Sequence, residues 1–303
     1  MLANNNPADF PSIEVARSSI RWFRGANSGR SRSKRTDQRA PDTKEKPFPK
    51  SFAKPWAPFH LGNDIKVLCL SDAHVPFHVV RACTAAIKWG QERSPDVVLL
   101  NGDWADFYRS SRWDQDPRHP RLNEEKRVVV ESLEHLRSKF PKARIVYKLG
   151  NHEERWQKFI WRRAPEIYDV PQCSIESLLE FDRFGIEKVD DQRPVVAGLL
   201  PIFHGHELPK GLTNPVNQAR GAFLRTNAST LTAHGHRSSM HSEPSWDKKE
   251  ACSWSQGCLC DMHPEYARIN KWNWGFAWVE VDRSGEYEVL TPTVTNDFVI
   301  RSR

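Results

Sequence analysis

Residues 65–74 read IKVLCLSDAH, residues 97–106 read VVLLNGDWAD and residues 145–153 read IVYKLGNHE. Each opens on a short aliphatic, β-branched run and closes on a polar cluster, the pattern of a buried strand running into a loop. The spacing between them predicts helices over 79–92 and 124–139. The second has apolar residues at 128, 129, 133 and 136, and Pro95 and Pro141 break the two helical patterns. Strands over 65–70, 97–100 and 145–149 with helices between them form a β-α-β-α-β chain, which calls for a largely parallel sheet with right-handed crossovers. In open sheets of that kind, function collects at the carboxyl ends of the strands.

After Leu149 comes a polar helix carrying Arg155, Trp156 and Trp161, and another helix covers roughly 174–183. Further strands fall near 195–203, 229–233, 275–281 and 286–292, the last two as a hairpin around Ser284 and Gly285. The body therefore starts at Asp64. Ahead of it, residues 1–55 hold twelve Lys/Arg against five Asp/Glu, while the rest of the chain balances. This stretch is rich in Pro, Ser and basic residues, including RSRSKR at 30–35, and reads as a disordered or loosely docked tail. Such a tail either holds nucleic acid by neutralising phosphates or is a solvated extension.

At 38% hydrophobic and 27% charged over 303 residues, the chain is globular rather than wholly disordered. Its longest apolar runs, such as Val195 to Phe203, fall well short of the roughly 20 residues that span a membrane. No basic-then-apolar leader opens the sequence, so a soluble protein in the cytoplasm, with no membrane partner, is expected. Six scattered cysteines without a CxxC pair fit reduced thiols, and Cys258 and Cys260 read as ordinary half-buried ones. No heptad or exposed amphipathic helix fixes an oligomeric state.

The loops at the strand ends are the informative part. Asp72 and His74 come after the first strand, Asp103 and Asp106 after the second, and Asn151, His152 and Glu153 after the third. His204 and His206 end a later strand, and His234 and His236 another. A single Asp there is usually a helix cap, a Gly-Asn a turn, and a lone His a surface or core residue. Five successive strand ends carrying Asp, Asn and His are not explained that way, because packing does not require His at four of them. They point to a shared metal site. Mixed carboxylate and imidazole ligands suit Mn, Fe, Zn or Ni better than Mg or Ca. Two divalent ions ~3.5–4 Å apart, bridged by a carboxylate, clamp the attacking and leaving oxygens of a phosphoryl displacement.

In this order the motifs resemble the calcineurin-like metallophosphoesterases, whose pattern is D-x-H, G-D-x-x-D, G-N-H-D/E, H and G-H-x-H. Here they read Asp72-Ala-His74, Gly102-Asp103-Trp-Ala-Asp106, Gly150-Asn151-His152-Glu153, His204 and Ala233-His234-Gly235-His236. The resemblance implies an α/β fold, a four-layer α/β/β/α sandwich of two mixed sheets flanked by helices, over residues 56–303. It implies one metal held by Asp72, His74, Asp103 and His236, and a second held by Asp103, Asn151, His204 and His234. His152 corresponds to a general acid that protonates the leaving oxygen, Asp106 to the group that orients it, and a metal-bridging hydroxide to the nucleophile.

The expected activity is a dinuclear metal-dependent phosphoesterase acting on phosphate esters, with manganese first among the metals and Fe, Zn or Ni as alternatives. Phosphodiesters of nucleotides or nucleic acid are the favoured substrates. The alternative is a non-catalytic scaffold or binding protein that keeps the fold. Two departures bear on this. Ala233 stands where the family has Gly, which is harmless only if the position has no positive φ. Phe107 stands where the protein phosphatases of the family carry a phosphate-gripping Arg, which lowers the phosphoprotein reading. Arg155 or Arg109 would substitute for it, or each is a surface or salt-bridging residue. His206 is either a neighbour of the site or a loop histidine. Trp104, Trp113, Trp156 and Trp161 either stack nucleobases or fill core. The insert 104–123 and the segment 207–228 are expected to line the cleft.

Overall fold

In the strand over 65–70, Val67 and Cys69 belong to one apolar cluster and Leu68 and Leu70 to another, and all four are buried. A strand covered on both faces must lie inside the molecule, which is what parallel βαβ units require. The computed structural model describes residues 4, 7–23, 48–209, 216–244 and 250–301. Its strands are β1 (Phe59–Gly62), β2 (Ile65–Leu70), β3 (Val97–Asn101), β4 (Arg144–Lys148), β5 (Ile186–Val189), β6 (Val195–Ala197) and β7 (Leu200–Ile202). Then come β8 (Thr230–Thr232), β9 (Ser239–Pro244), β10 (Glu250–Ser255), β11 (Ala277–Val281), β12 (Tyr287–Leu290), β13 (Thr293–Val294) and β14 (Ile300–Arg301). The helices are α1 (Ile13–Phe23), α2 (Val80–Gln91), α3 (Leu122–Lys139), α4 (Glu153–Arg163), α5 (Ile175–Leu178), α6 (Phe181–Phe184) and α7 (Gln218–Thr226).

One mixed sheet has the order β12-β11-β2-β3-β4-β5, with β2 to β5 parallel and the β11–β12 hairpin antiparallel at one edge. The other has the order β1-β6-β7-β8-β10-β9, also mixed. Between them, Val67, Val97, Leu99 and Val146 of the first sheet meet Val195, Leu200, Ile202 and Leu231 of the second. On the first sheet's other face, Leu68, Val98 and Ile145 pack with Ala86 and Trp89 of α2 and Val129, Leu133 and Leu136 of α3. Helix α7 packs against β8, β9 and β10 of the second sheet. This is the expected pair of mixed sheets flanked by helices.

Three expectations are corrected. The run 195–203 is two antiparallel strands, because Gly198 turns the chain at φ +57° where a Cβ would meet the Gly285 carbonyl oxygen at 2.3 Å. The helix over 174–183 is the two short helices α5 and α6, separated where Glu180 takes a positive φ of 58°. The body begins before Asp64, since β1 pairs in parallel with β6. Strands β5, β9 and β10 and helix α7 lack a strong sequence signal, because β5 is four residues long, β9 has no fully buried residue, β10 buries only serines and α7 is short.

Residues 56–303 form one compact unit and residues 1–55 another. Within the latter, residues 13–23 form α1 rather than an irregular tail, and its Ala16 is buried. The basic stretch 30–35 lies outside the described residues, as does 210–215 of the segment expected to line the cleft. Among the described residues no helix is long and apolar enough to cross a membrane.

Candidate metal centre

Every candidate ligand leaves the carboxyl end of a strand, and the chain there bends sharply. Asp72 (φ 51°), His74 (φ 49°), Asp103 (φ 52°), His234 (φ 61°) and His236 (φ 55°) all lie in the left-handed region. Non-glycine residues visit it rarely and Asp and His more readily than most, so five in one place mark a site whose surroundings hold strained backbone in position. The loops are stitched together: the N–H groups of Asp72, His74 and Val75 donate to the carbonyls of Gly102, Asp103 and Trp104 at 3.1, 3.0 and 2.8 Å.

The motif glycines are demanded by close approach. A Cβ on Gly102 (φ +84°) would lie 2.4 Å from His204 Nδ1, and one on Gly150 would lie 2.2 Å from Asp103 Oδ1. Ala233 is not among the residues with positive φ, so Ala in place of Gly adds no strain.

These bends gather the side chains into overlapping groups. His74, His236 and Cys260 form one, His74, Asp103 and His152 a second, and Asp103, His204 and His234 a third, with ligand atoms in each within 4.8 Å of one another. Asp72 joins the first through Oδ1, 3.1 Å from His236 Nε2. Asp103 is common to the second and third, its Oδ2 lying 3.2 Å from His204 Nε2. Asn151 Oδ1 is buried and without a hydrogen-bond partner, as are Asp72 Oδ1 and His204 Nε2. Three orphaned acceptor or lone-pair atoms from three strand ends are what a cation would satisfy.

The histidines are oriented from behind. His74 Nδ1 donates to Asp106 Oδ1 at 2.9 Å and His204 Nδ1 to the Asn101 carbonyl at 2.8 Å, which leaves Nε2 of each as a lone pair. His236 Nδ1 lies 3.7 Å from Cys260 Sγ. His74 Nε2 and His236 Nε2 face each other at 3.2 Å, a contact that needs a proton or a cation between them. Fixing Nδ1 to present Nε2 is how metal-binding imidazoles are held. Cys258 and Cys260 are therefore not half-buried but fully enclosed, with Cys260 at the site.

The field of the site calls for positive charge. Burial pushes Asp72 up, yet His236 and His204 hold it down at about 2. Burial alone would lower His204, but Asp103 and Asp72 push it up to about 10. Two enclosed carboxylates thus recruit protons onto imidazoles wherever a cation is not supplied, so the donor set fits divalent metals of the N- and O-loving kind.

His152 sits at the rim of this cluster. Its Nδ1 lies 2.9 Å from Asp106 Oδ1, and Arg155 Nη2 donates to its Nε2 at 2.7 Å. Arg155 thus reaches the site from α4 and also lies 3.7 Å from Asp106 Oδ2. Arg109 does not reach it; its guanidinium donates to the carbonyls of Pro117, His119 and Pro120 and shapes the insert. Phe107 is buried with φ 50° and stacks on Trp156. His206 Nε2 bonds Glu154 Oε1 at 3.1 Å and belongs to none of the ligand groups. Trp104 is core, and Trp113 and Trp161 are exposed.

Two features escape a reading of the sequence. Glu153 is buried and accepts from the backbone N–H groups of Asp103 and Ala105 at 2.9 Å and Gly150 at 2.8 Å, and from Tyr147 Oη at 2.8 Å. Lys148 Nζ, at the end of β4, lies 3.1 Å from Glu207 Oε1, and Glu207 accepts the His204 N–H at 2.9 Å. A Lys closing an otherwise apolar strand is the available signal for that pair.

The family description calcineurin-like phosphoesterase matches residues 65–257. The chain belongs to the calcineurin-like phosphoesterase family. It is similar to the Gene 54 protein of Mycobacterium phage L5, with 26% identity over 252 residues, 78% of this chain and 97% of the relative. The Gene 54 protein of Mycobacterium phage D29 is 25% identical over 248 residues, 78% of this chain and 96% of the relative. Among solved structures, the phosphoesterase Yfce from E. coli aligns with a TM-score of 0.40 and 15% identity, covering 78% of this chain and 98% of that one.

This calcineurin-like phosphoesterase carries a second buried carboxylate near the rim. Glu125 of α3 accepts the Tyr108 N–H at 3.2 Å, and burial and the nearby Asp106 push its carboxyl up to about 8, with Arg155 opposing. In the unfolded chain it ionises near 4.5, so the folded state holds an extra proton between those values. Stability from this group is fully present below about pH 4.5 and is lost as pH rises towards 8. Glu125→Gln keeps the acceptor and removes the charge. Urea melts are expected to show it equal to the wild type at about pH 4.5 and more stable by roughly 2–5 kcal/mol at about pH 8.5. Equal stability at both would remove this account.

Proposed function

We propose that this protein is a phosphodiesterase with a dinuclear metal centre, acting on nucleotide or nucleic-acid phosphodiesters. The observation that carries the reading is that Asp103 is common to two ligand groups, one with His74 and His152 and one with His204 and His234, with Asp72 Oδ1, Asn151 Oδ1 and His204 Nε2 unpartnered among them and Arg155 alongside. Asp72, His74, Asp103 and His236 would hold one divalent ion, and Asp103, Asn151, His204 and His234 the other. When bound, the ions supply Lewis acidity that activates water and offsets the charge of the phosphoryl group.

The remaining work falls to the chain. Arg155 offers a guanidinium to a phosphoryl oxygen, and in the resting geometry it donates to His152 Nε2. An arriving phosphate competes for that guanidinium and frees Nε2. Burial disfavours protonation of His152, but Asp103 and Asp106 outweigh it and raise its pKa. Once free, Nε2 takes up a proton from water while Asp106 holds Nδ1, and that proton can pass to the leaving oxygen. One arginine, with a buried Phe107 in place of another, suits the single negative charge of a diester better than the two of a monoester.

Manganese is the metal to load first, and the cytoplasm is the compartment this reading assigns. The test is turnover of bis(p-nitrophenyl) phosphate against p-nitrophenyl phosphate after chelation and reloading with manganese. Metal-dependent cleavage favouring the diester, and falling about 100-fold or more in His152→Ala, is expected. No turnover of either ester with two ions bound would overturn the proposal in favour of a scaffold.

A further inference from the structure

Beside the candidate metal centre lies a cavity of about 130 Å³ whose floor is His74, Asp106 and Cys260 and whose walls include Phe77, Tyr108 and Tyr266. Its walls come from Phe77 in the loop after β2, from the insert 104–123 and from the loop before Trp272. They are tied together across the cavity. Tyr108 Oη donates to Glu265 Oε1 at 2.9 Å, His119 Nε2 lies 3.5 Å from Glu265 Oε2, and the Asp116 N–H donates to Tyr108 Oη at 2.8 Å. The rings pack on one another, with Phe77 5.2 Å from His119 edge-on and Tyr108 4.6 Å from it. The cavity is therefore formed before any ligand arrives, and a ligand does not have to order it.

The size and lining select a class of ligand. About 130 Å³ is close to the roughly 150 Å³ of a cavity that takes up benzene, room for a flat ring rather than a peptide. Aromatic walls accept the faces of such a ring. The same cavity is lined by Asp261 and Arg268, a carboxylate acceptor and a guanidinium donor. A nucleobase edge carries both amino donors and ring-nitrogen acceptors to meet them, whereas a phenol offers one hydroxyl.

We propose that this cavity binds the base of a nucleotide phosphodiester, stacked among Phe77, Tyr108 and Tyr266, with the phosphate beside His74 and Asp106. The inference rests on the phosphodiesterase reading and adds where the base of such a substrate sits. Tyr266 is the residue to remove, because it is 66% exposed and its loss leaves the core intact. Phe77 is the second variant.

The probes are adenosine and cytidine, which carry a base and no phosphate, titrated into the manganese-loaded full chain by calorimetry and saturation-transfer NMR. Saturation transfer to the base protons is expected, with affinity about ten-fold weaker in Tyr266→Ala and in Phe77→Ala, and with an unchanged Tm for Tyr266→Ala. Nucleosides that fail to bind, that bind both variants as tightly as the wild type, or that bind more weakly than phenol would overturn the base site. Diester turnover without nucleoside binding removes the inference alone. Nucleoside binding with no turnover of any diester removes the phosphodiesterase reading and leaves the cavity assigned.

Discussion

Asp103→Asn is expected to leave the chain folded and to abolish metal-dependent turnover. Asp103 Oδ1 accepts the His152 N–H at 2.9 Å, and the amide oxygen of Asn keeps that bond. The amide nitrogen replaces Oδ2 beside His204 Nε2 and can donate to its lone pair across the same 3.2 Å. At φ 52°, Asn is also, after Gly, among the residues the backbone tolerates best. The loss is of the charge common to both candidate ligand groups. Losing a residue behind a ligand typically costs about 10–100-fold in metal affinity, so losing the shared carboxylate should cost at least about 100-fold. Metal content by mass spectrometry should fall below the two ions per chain of the proposed centre. The gain on saturation should fall with it; for the wild type it is about 2.7 kcal/mol at a hundred-fold excess over Kd. An Asn variant that keeps both ions and the full thermal shift would show that Asp103 does not bridge them.

Much of the fold is legible in the sequence because parallel strands write their position plainly. A strand buried on both faces must be apolar throughout, so Val97 to Leu100 stands out, and the loop after it must carry the chemistry. The ligands are legible for the opposite reason, since nothing in packing places His204, His234 and His236 at strand ends. The features that escape are set by partners distant in sequence. Strand β9 is nowhere fully buried, β10 buries only the polar Ser253 and Ser255, and β5 is four residues long, so none shows a clear apolar period. Arg155 reads more readily as a surface residue than as part of the site, because its place depends on how α4 leaves Gly150 and turns Nη2 onto His152. Cys260 looks ordinary beside Cys258, since only the fold brings it to His236 across 24 residues. Glu153 is the last letter of a motif, yet its role lies in the backbone groups it holds.

That role makes Glu153→Ala the substitution expected to damage the fold most. One carboxylate, 1% exposed, accepts three backbone N–H groups from the loops after β3 and β4 and the hydroxyl of Tyr147. Alanine leaves those donors buried and unpaired, at about 1–3 kcal/mol each. The sum reaches on the order of 4 kcal/mol or more, comparable with the roughly 5–15 kcal/mol that holds a domain together. Glu153→Gln separates hydrogen bonding from charge. Its amide oxygen, placed where Oε2 sits, keeps the Asp103 and Gly150 N–H groups, and its amide nitrogen donates to a Tyr147 hydroxyl that turns to accept. Only the Ala105 N–H is orphaned, costing about 1–3 kcal/mol. Part of that is offset, because burial and the neighbouring Asp103 both disfavour a charge on Glu153 and raise its pKa. Urea denaturation of the metal-free proteins should therefore order them wild type, Gln and Ala, with the Gln variant still able to bind metal and the Ala variant poorly folded. An Ala variant within about 1 kcal/mol of the wild type would mean that water or a shifted loop satisfies those donors, and Glu153 would then have no organising part in the site.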